Sequence, residues 1–280
     1  MLAYQKKINF IKFTTDIQSE SPDVLNFISK KGILEKGKSF IKKKDDYFTF
    51  HKENFGTFKI NKDAIHYDLV KNFSKNIKLA ICLNQPIACN AYLNDFFVMH
   101  CSAFCYKNRA YLILGDSGSG KSTLLFHLLP YAKFITEDIG ILDSNKHIYS
   151  SFPITKITDE NINHKFIKSK EKISFDERGR FACMIKDRYF KKNTTEISGI
   201  FYIHRGETEV IKSLSPSKKL SAIYRSAFRQ LKDIDARYEA KFFKRAGVLS
   251  DLKGYELNIA SNECASVSAK KIINYLDDNF

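Results

Sequence analysis

The chain has 280 residues and a formal net charge of +15, with 44% hydrophobic and 28% charged residues. That is enough apolar material for one large domain, or one with a smaller companion, and it excludes a disordered chain. No run of about 18 apolar residues occurs, which excludes a membrane-spanning helix. The lysines are spread along the whole chain, which argues against a nucleic-acid partner.

The six cysteines (Cys82, Cys89, Cys101, Cys105, Cys183 and Cys264) form no C-x-x-C pair and no zinc-type spacing with histidine. They predict reduced thiols and a cytoplasmic protein. Met1 to Lys7 lack the apolar core and cleavage site of a signal peptide.

In chain order, Ile8, Phe10, Ile11 and Phe13 predict an early strand, and Ser21-Pro22-Asp23 opens a short helix that ends near Gly32. Lys42-Lys43-Lys44-Asp45-Asp46 reads as a charged turn. Tyr47–Phe50 and Thr57–Ile60 predict a hairpin around Asn54-Phe55-Gly56. Ile65, Leu69, Phe73, Ile77, Ala80 and Ile81 lie near helical spacing, so residues 63–95 are expected to be helical with a break at Pro86. Residues 1–95 thus form a β-rich and helical N-terminal region without evident chemistry, and 96–280 form the main domain. Phe96–Tyr106 reads as a strand, joined through Lys107-Asn108-Arg109 to a second strand ending at Leu114.

Gly115-Asp116-Ser117-Gly118-Ser119-Gly120-Lys121-Ser122-Thr123 follows that strand and fits G-x-x-x-x-G-K-[ST]. An apolar strand precedes it, and Leu124, Leu125, Phe126, Leu128 and Leu129 continue it as a helix stopped by Pro130. Glycines let successive N–H groups point into one cavity, and the helix start favours phosphate there. Lys121 can reach β- and γ-phosphates, and the Ser122 hydroxyl can ligate Mg²⁺. Soon after comes Phe134-Ile135-Thr136-Glu137-Asp138. Two carboxylates ending an apolar strand close to a phosphate loop suit Mg²⁺ binding or general-base duty; a polar turn is the alternative. Further on, short strands are expected at Ile148–Ser150, Phe152–Ile154, Phe181–Ile185 and Ile197–Ile203, with a charged, mobile stretch from Ser169 to Arg180. A helix follows a Ser215-Pro216-Ser217 cap, another covers Ala236–Ala246, Tyr255–Ile259 is a late strand, and Ala265–Leu276 is a last helix.

Met99-His100-Cys101-Ser102-Ala103, the hairpin, Leu112 to Thr123 and Ile135-Thr136-Glu137-Asp138 together resemble the HPr kinase/phosphorylase family, and most closely its diverged relatives that include lasso-peptide precursor kinases. The clear match covers roughly residues 95–143, with a looser one to Leu231. The resemblance implies an α/β P-loop kinase core of the HPr kinase/PEP-carboxykinase type with a mixed central sheet. It implies ATP and Mg²⁺ as cofactors and a protein or peptide substrate bearing an acceptor serine, and it leaves a homo-oligomer open. His100 matches the histidine that orients or senses the transferred phosphoryl group, Lys121 the loop lysine, and Ser122 the Mg²⁺-binding hydroxyl. Asp138 matches the base that takes the serine proton. Glu137 stands where the family has a first aspartate, with a metal or supporting role, so Ser122, Glu137 and Asp138 form the metal set. The family's downstream glutamate- and glycine-rich motif has no counterpart, and its mobile-loop arginine does not align.

Three alternatives stand beside that reading. An ABC-type ATPase lacks its signature loop and its late Asp-Glu in this sequence. A non-catalytic nucleotide-binding partner module is opposed by the joint presence of His100, Lys121, Ser122 and Asp138. A kinase of a small-molecule hydroxyl stays open, because phosphate machinery does not define the acceptor.

Overall fold

The computed structural model describes residues 12–13, 40–44, 46–52, 54–82, 84–158, 163–174, 178–206, 210–228, 231, 235, 237–260 and 264–279. The expected strand at Ile8–Phe13 falls largely outside these residues and the helix after Ser21 wholly outside them.

The fold is mixed α/β. A first sheet is built from β1 (Lys12–Phe13), β2 (Phe40–Lys44), β3 (Tyr47–Lys52), β4 (Gly56–Ile60) and β5 (Ala64–Leu69), in the order β1-β5-β4-β3-β2. The hairpin around Asn54-Phe55-Gly56 is present, with Asn54 at φ 58°. Lys42–Lys44 belong to β2 rather than to a turn. Ala64–Leu69 is a strand where helical spacing predicted a helix. It pairs residue by residue with β4, and the fully buried Ile65 faces the sheet's core. Backbone pairing to a neighbour already in place outweighs a weak periodicity.

Helices α1 (Lys75–Cys82) and α2 (Gln85–Leu93) follow. Pro86 sits in the first turn of α2, where no helical N–H is required.

The central sheet has nine strands: β6 (Phe97–Met99), β7 (Ser102–Tyr106), β8 (Arg109–Leu114), β9 (Lys133–Thr136), β10 (Gly140–Leu142), β11 (His147–Tyr149), β15 (Thr195–Gly206), β16 (Val210–Ser213) and β17 (Lys253–Ala260). It is mixed: β15 runs parallel to β8 and β17, while β7 is antiparallel to β8 and β9. The expected single strand Phe96–Tyr106 is broken at His100. Its first part pairs with β10 and its second with β8 and β9, and the His100 N–H leaves the ladder to donate to Ser226 O at 2.7 Å. The β7–β8 connection is two residues, Lys107 and Asn108, both at positive φ, as a tight hairpin turn requires.

A three-stranded sheet, β12 (Ile154–Ile157), β14 (Phe181–Ile185) and β13 (Ile167–Lys172), flanks it. The stretch expected to be mobile from Ser169 contains the end of β13, where the half-buried Glu171 stands between the exposed Lys170 and Lys172 along a paired strand. Helices α3 (Lys121–Leu128), α4 (Pro216–Arg225), α5 (Arg237–Ser250) and α6 (Ala265–Asn279) complete the chain. The Ser215 hydroxyl caps α4 by accepting from Lys218 N–H at 3.4 Å.

Alternation along β8 divides the core. Ala110, Leu112 and Leu114 face one cluster with the first sheet, α1, α2 and α5, whereas Tyr111 and Ile113 face another with α3 and α6. Because β8, β9 and β15 run in one direction, Leu114, Thr136 and Gly206 end at the same edge of the sheet. Loops leaving that edge form the candidate site.

Candidate functional site

Gly115 to Gly120 carry the chain from β8 into α3, whose first residue is Lys121. A Cβ on Gly115 would stand 2.5 Å from Ile203 O, so only glycine lets the loop lie this close against β15. Gly118, at φ 83°, has open space where its Cβ would be. That space is a cavity of about 700 Å³, within the usual range for ligand sites. Ser117, Gly118, Gly120, Lys121, Ser122 and Thr123 line it from the loop, and His100, Asp138 and Lys156 from elsewhere.

Lys121 is 7% exposed and donates to Gly115 O at 2.8 Å and Asp116 O at 2.9 Å. Burial lowers its pKa, opposed by the Asp138 charge. Ser122 Oγ donates to Glu137 Oε1 at 2.6 Å, and the Lys156 backbone N–H donates to Glu137 Oε2 at 3.1 Å. Glu137 is buried, and burial, then the neighbouring Asp138 charge, raises its pKa.

Glu137 and Asp138 occupy a bend beyond β9, so strand alternation does not govern them. Ile139 N–H closes a three-residue turn on Glu137 O at 2.9 Å, with Asp138 at its centre at φ 67°. Positive φ is uncommon outside glycine and is sustained here by the contacts around it. The Asp138 carboxylate pairs with the Lys156 ammonium. Burial alone would raise the Asp138 pKa, but the Lys156 charge and hydrogen bond, with His100 behind them, outweigh it and hold it low. His100 Nδ1–H donates to Asp138 O at 2.9 Å, which leaves Nε2 as the unprotonated nitrogen of the neutral ring. Burial lowers the His100 pKa in spite of the Asp138 charge.

The structure thus brings His100, Lys121, Ser122, Glu137 and Asp138 together. Asp116 is exposed and accepts from Arg225 Nη1 at 3.5 Å rather than lining the cavity, and Ser119 tucks its hydroxyl under the loop. Sequence reasoning missed Lys156. Its signal was a lysine inside the apolar run Ile154-Thr155-Lys156-Ile157, since a lysine is rarely buried unless paired. It also missed Arg178 and Arg180, which line the cavity beside β14, and Lys52, which reaches it from the first sheet.

Ser122 and Glu137 are hard oxygen donors of the kind that suit Mg²⁺. Among the described residues there is no group of three or more His, Cys, Asp or Glu able to hold a metal. A Mg²⁺ ion here would take its remaining ligands from phosphate and water, as it commonly does. Among the described residues no helix is long and apolar enough to cross a membrane.

No protein-family model matches the chain, and no curated protein matches it. Among solved structures it is similar to the HPr(Ser) kinase/phosphatase from Coxiella burnetii, at 10% identity and a TM-score of 0.34, over 65% of this chain and 97% of that one. A likeness of that size does not place the chain in the family.

Proposed function

We propose that the chain is an ATP-dependent kinase with a P-loop core that transfers the γ-phosphoryl group to a serine hydroxyl of a protein or peptide. One observation carries this reading. Lys121 and Ser122 of the glycine-rich loop share a cavity with Asp138, and Ser122 is hydrogen-bonded to Glu137 next to it. A nucleotide-binding module without catalysis needs no carboxylate such as Asp138 in the wall of its phosphate cavity.

In this reading the loop N–H groups and Lys121 hold the β- and γ-phosphates. Ser122 and Glu137 would hold Mg²⁺, which would neutralise phosphate charge. Asp138 lines the cavity and accepts the proton of the acceptor hydroxyl. The acceptor oxygen bonds to the γ-phosphorus as the bond to the β,γ-bridging oxygen breaks, and ADP leaves. A carboxylate held well below neutral pH serves as base because the proton need leave the hydroxyl only late. His100, tied to the Asp138 carbonyl through Nδ1–H, fixes the turn, and its Nε2 can donate to the transferred group only once protonated, since phosphoryl oxygens only accept. Such a kinase draws on the cytoplasmic ATP pool, and we place it there.

The test is calorimetric titration with Mg²⁺–ATP of the wild type and Lys121→Ala, followed by incubation with labelled ATP and serine-containing peptides or small alcohols, read by mass spectrometry. Binding that is lost in Lys121→Ala, with label on serine, is the expected result. Equal binding by both proteins overturns the nucleotide site. Label on small alcohols alone overturns the peptide acceptor.

A further inference from the structure

Lys156 is 8% exposed. Its backbone is fixed in β12 by pairing with Ala182 of β14, and its side chain ends in the cavity that Lys121, Ser122 and His100 also line. Two carboxylates face it. Asp138 takes the ammonium directly, and Glu137 takes the backbone N–H. Arg180 from β14's side repels it. Thr155 and Ile157 flank it in the same buried strand. The ammonium is therefore a cation on a flexible four-carbon stem with an immobile base. It offers three donors, and the Asp138 contact occupies one.

We propose that Lys156 contacts the γ-phosphoryl group of the bound nucleotide, and that its shift toward phosphate uncovers Asp138. This rests on the nucleotide-binding reading above. A phosphate oxygen entering the cavity meets two ammonium groups, Lys121 on the loop and Lys156 on β12. Lys121 is held by two carbonyl oxygens of the loop itself. Lys156 is held by a carboxylate that the reaction needs free. An Asp138 oxygen in contact with an ammonium is a poor acceptor for a hydroxyl proton. Once the ammonium is shared with the γ-phosphoryl group, that oxygen can face the acceptor. The base is then exposed only when a triphosphate is present, and ADP leaves it masked.

The experiment compares ADP with the non-hydrolysable analogue AMP-PNP, each with Mg²⁺, by titration calorimetry. It uses the wild type, Lys156→Met and Asp138→Asn, with circular dichroism to check folding. In Lys156→Met, AMP-PNP binding should weaken about 10- to 100-fold while ADP binding stays within about threefold, the loss of one charge-assisted contact. In Asp138→Asn the ammonium keeps only a neutral amide partner and is held less firmly, so AMP-PNP should bind more tightly relative to ADP than in the wild type. Equal loss of both nucleotides in Lys156→Met, or no gain in Asp138→Asn, overturns the proposal and leaves the nucleotide site standing. If Lys156→Met does not fold, the Asp138→Asn ratio decides alone. Failure of the wild type to bind either nucleotide overturns the underlying reading together with the proposal.

Discussion

Asp138→Asn separates chemistry from structure at this site. Asparagine has the same shape and tolerates the left-handed backbone that Asp138 adopts at φ 67°, so the turn closed by Ile139 N–H should survive. Asparagine still accepts from Lys156, now through a neutral amide oxygen. The bond stays charge-assisted on the donor side, but the ammonium loses its counter-charge, at a cost of about 1–3 kcal/mol, with roughly 2–4 °C in Tm for each kcal/mol in a chain of this size. The rate should fall far more. Losing the proton acceptor removes about 10²–10⁴, or roughly 3–5 kcal/mol of barrier. Glu137→Gln acts differently. Glu137 accepts from Ser122 Oγ through Oε1 and from Lys156 N–H through Oε2, and an amide must set its NH₂ against one of those donors. It should lose stability, about 1–3 kcal/mol, and some activity, partly restored by raising Mg²⁺. The assay is transfer from labelled ATP to a serine peptide, with thermal unfolding alongside. A wild-type rate in Asp138→Asn with a dead Glu137→Gln reverses the two roles. Full activity in both refutes the mechanism.

Gly115→Ala should unfold at lower temperature and lose nucleotide affinity, because its Cβ would stand 2.5 Å from Ile203 O and 2.7 Å from Ser119 Oγ. Overpacking of this kind costs about 1–3 kcal/mol, and an unchanged Tm would refute the close approach. Asp235 accepts from Lys43 Nζ at 2.6 Å and from Arg237 Nη2 at 3.1 Å, and the Arg237 contact, ahead of Lys43, holds its pKa below the ordinary 3.8. Its stabilisation is therefore present above about pH 4 and lost as pH falls through the lower folded value, so the Tm gap between wild type and Asp235→Asn should narrow in acid, and a gap that widens there would refute it.

The site was legible where chemistry is local in sequence. Loop, lysine, serine and acidic pair are each carried by a short string of residue types. Lys156 and Arg180 were not legible, because pairing between β12 and β14 brings them to Asp138 from 18 and 42 positions along the chain. The β5 strand was misread because Ile65 and Leu69 happen to sit four apart, a spacing that six residues cannot distinguish from a strand.

The boundary at residue 95 shows the same limit and can be tested. The predicted elements and motifs suggest a boundary there, but packing continues across it. In α2 every residue from Pro86 to Tyr92 is buried. A helix buried all round lies between two partners. Here they are β3, β4 and β5 on one side and β6 on the other. Phe48, Phe58 and Ile65 of the first sheet share one apolar cluster with Met99, Leu112, Ile200 and Phe242. A fragment of residues 96–280 would expose that face of the central sheet to water, and each large side chain uncovered loses about 1.5–3 kcal/mol. Net stabilities are about 5–15 kcal/mol, so uncovering a handful of such side chains is enough to unfold it. The fragment should therefore lack a cooperative thermal transition, while the full chain unfolds in a single step by circular dichroism and by intrinsic tyrosine fluorescence. A fragment that melts sharply with a native-like spectrum would show that the first sheet and α2 are a dispensable companion, and that the nucleotide cavity does not need Lys52 and Gln85 in its wall.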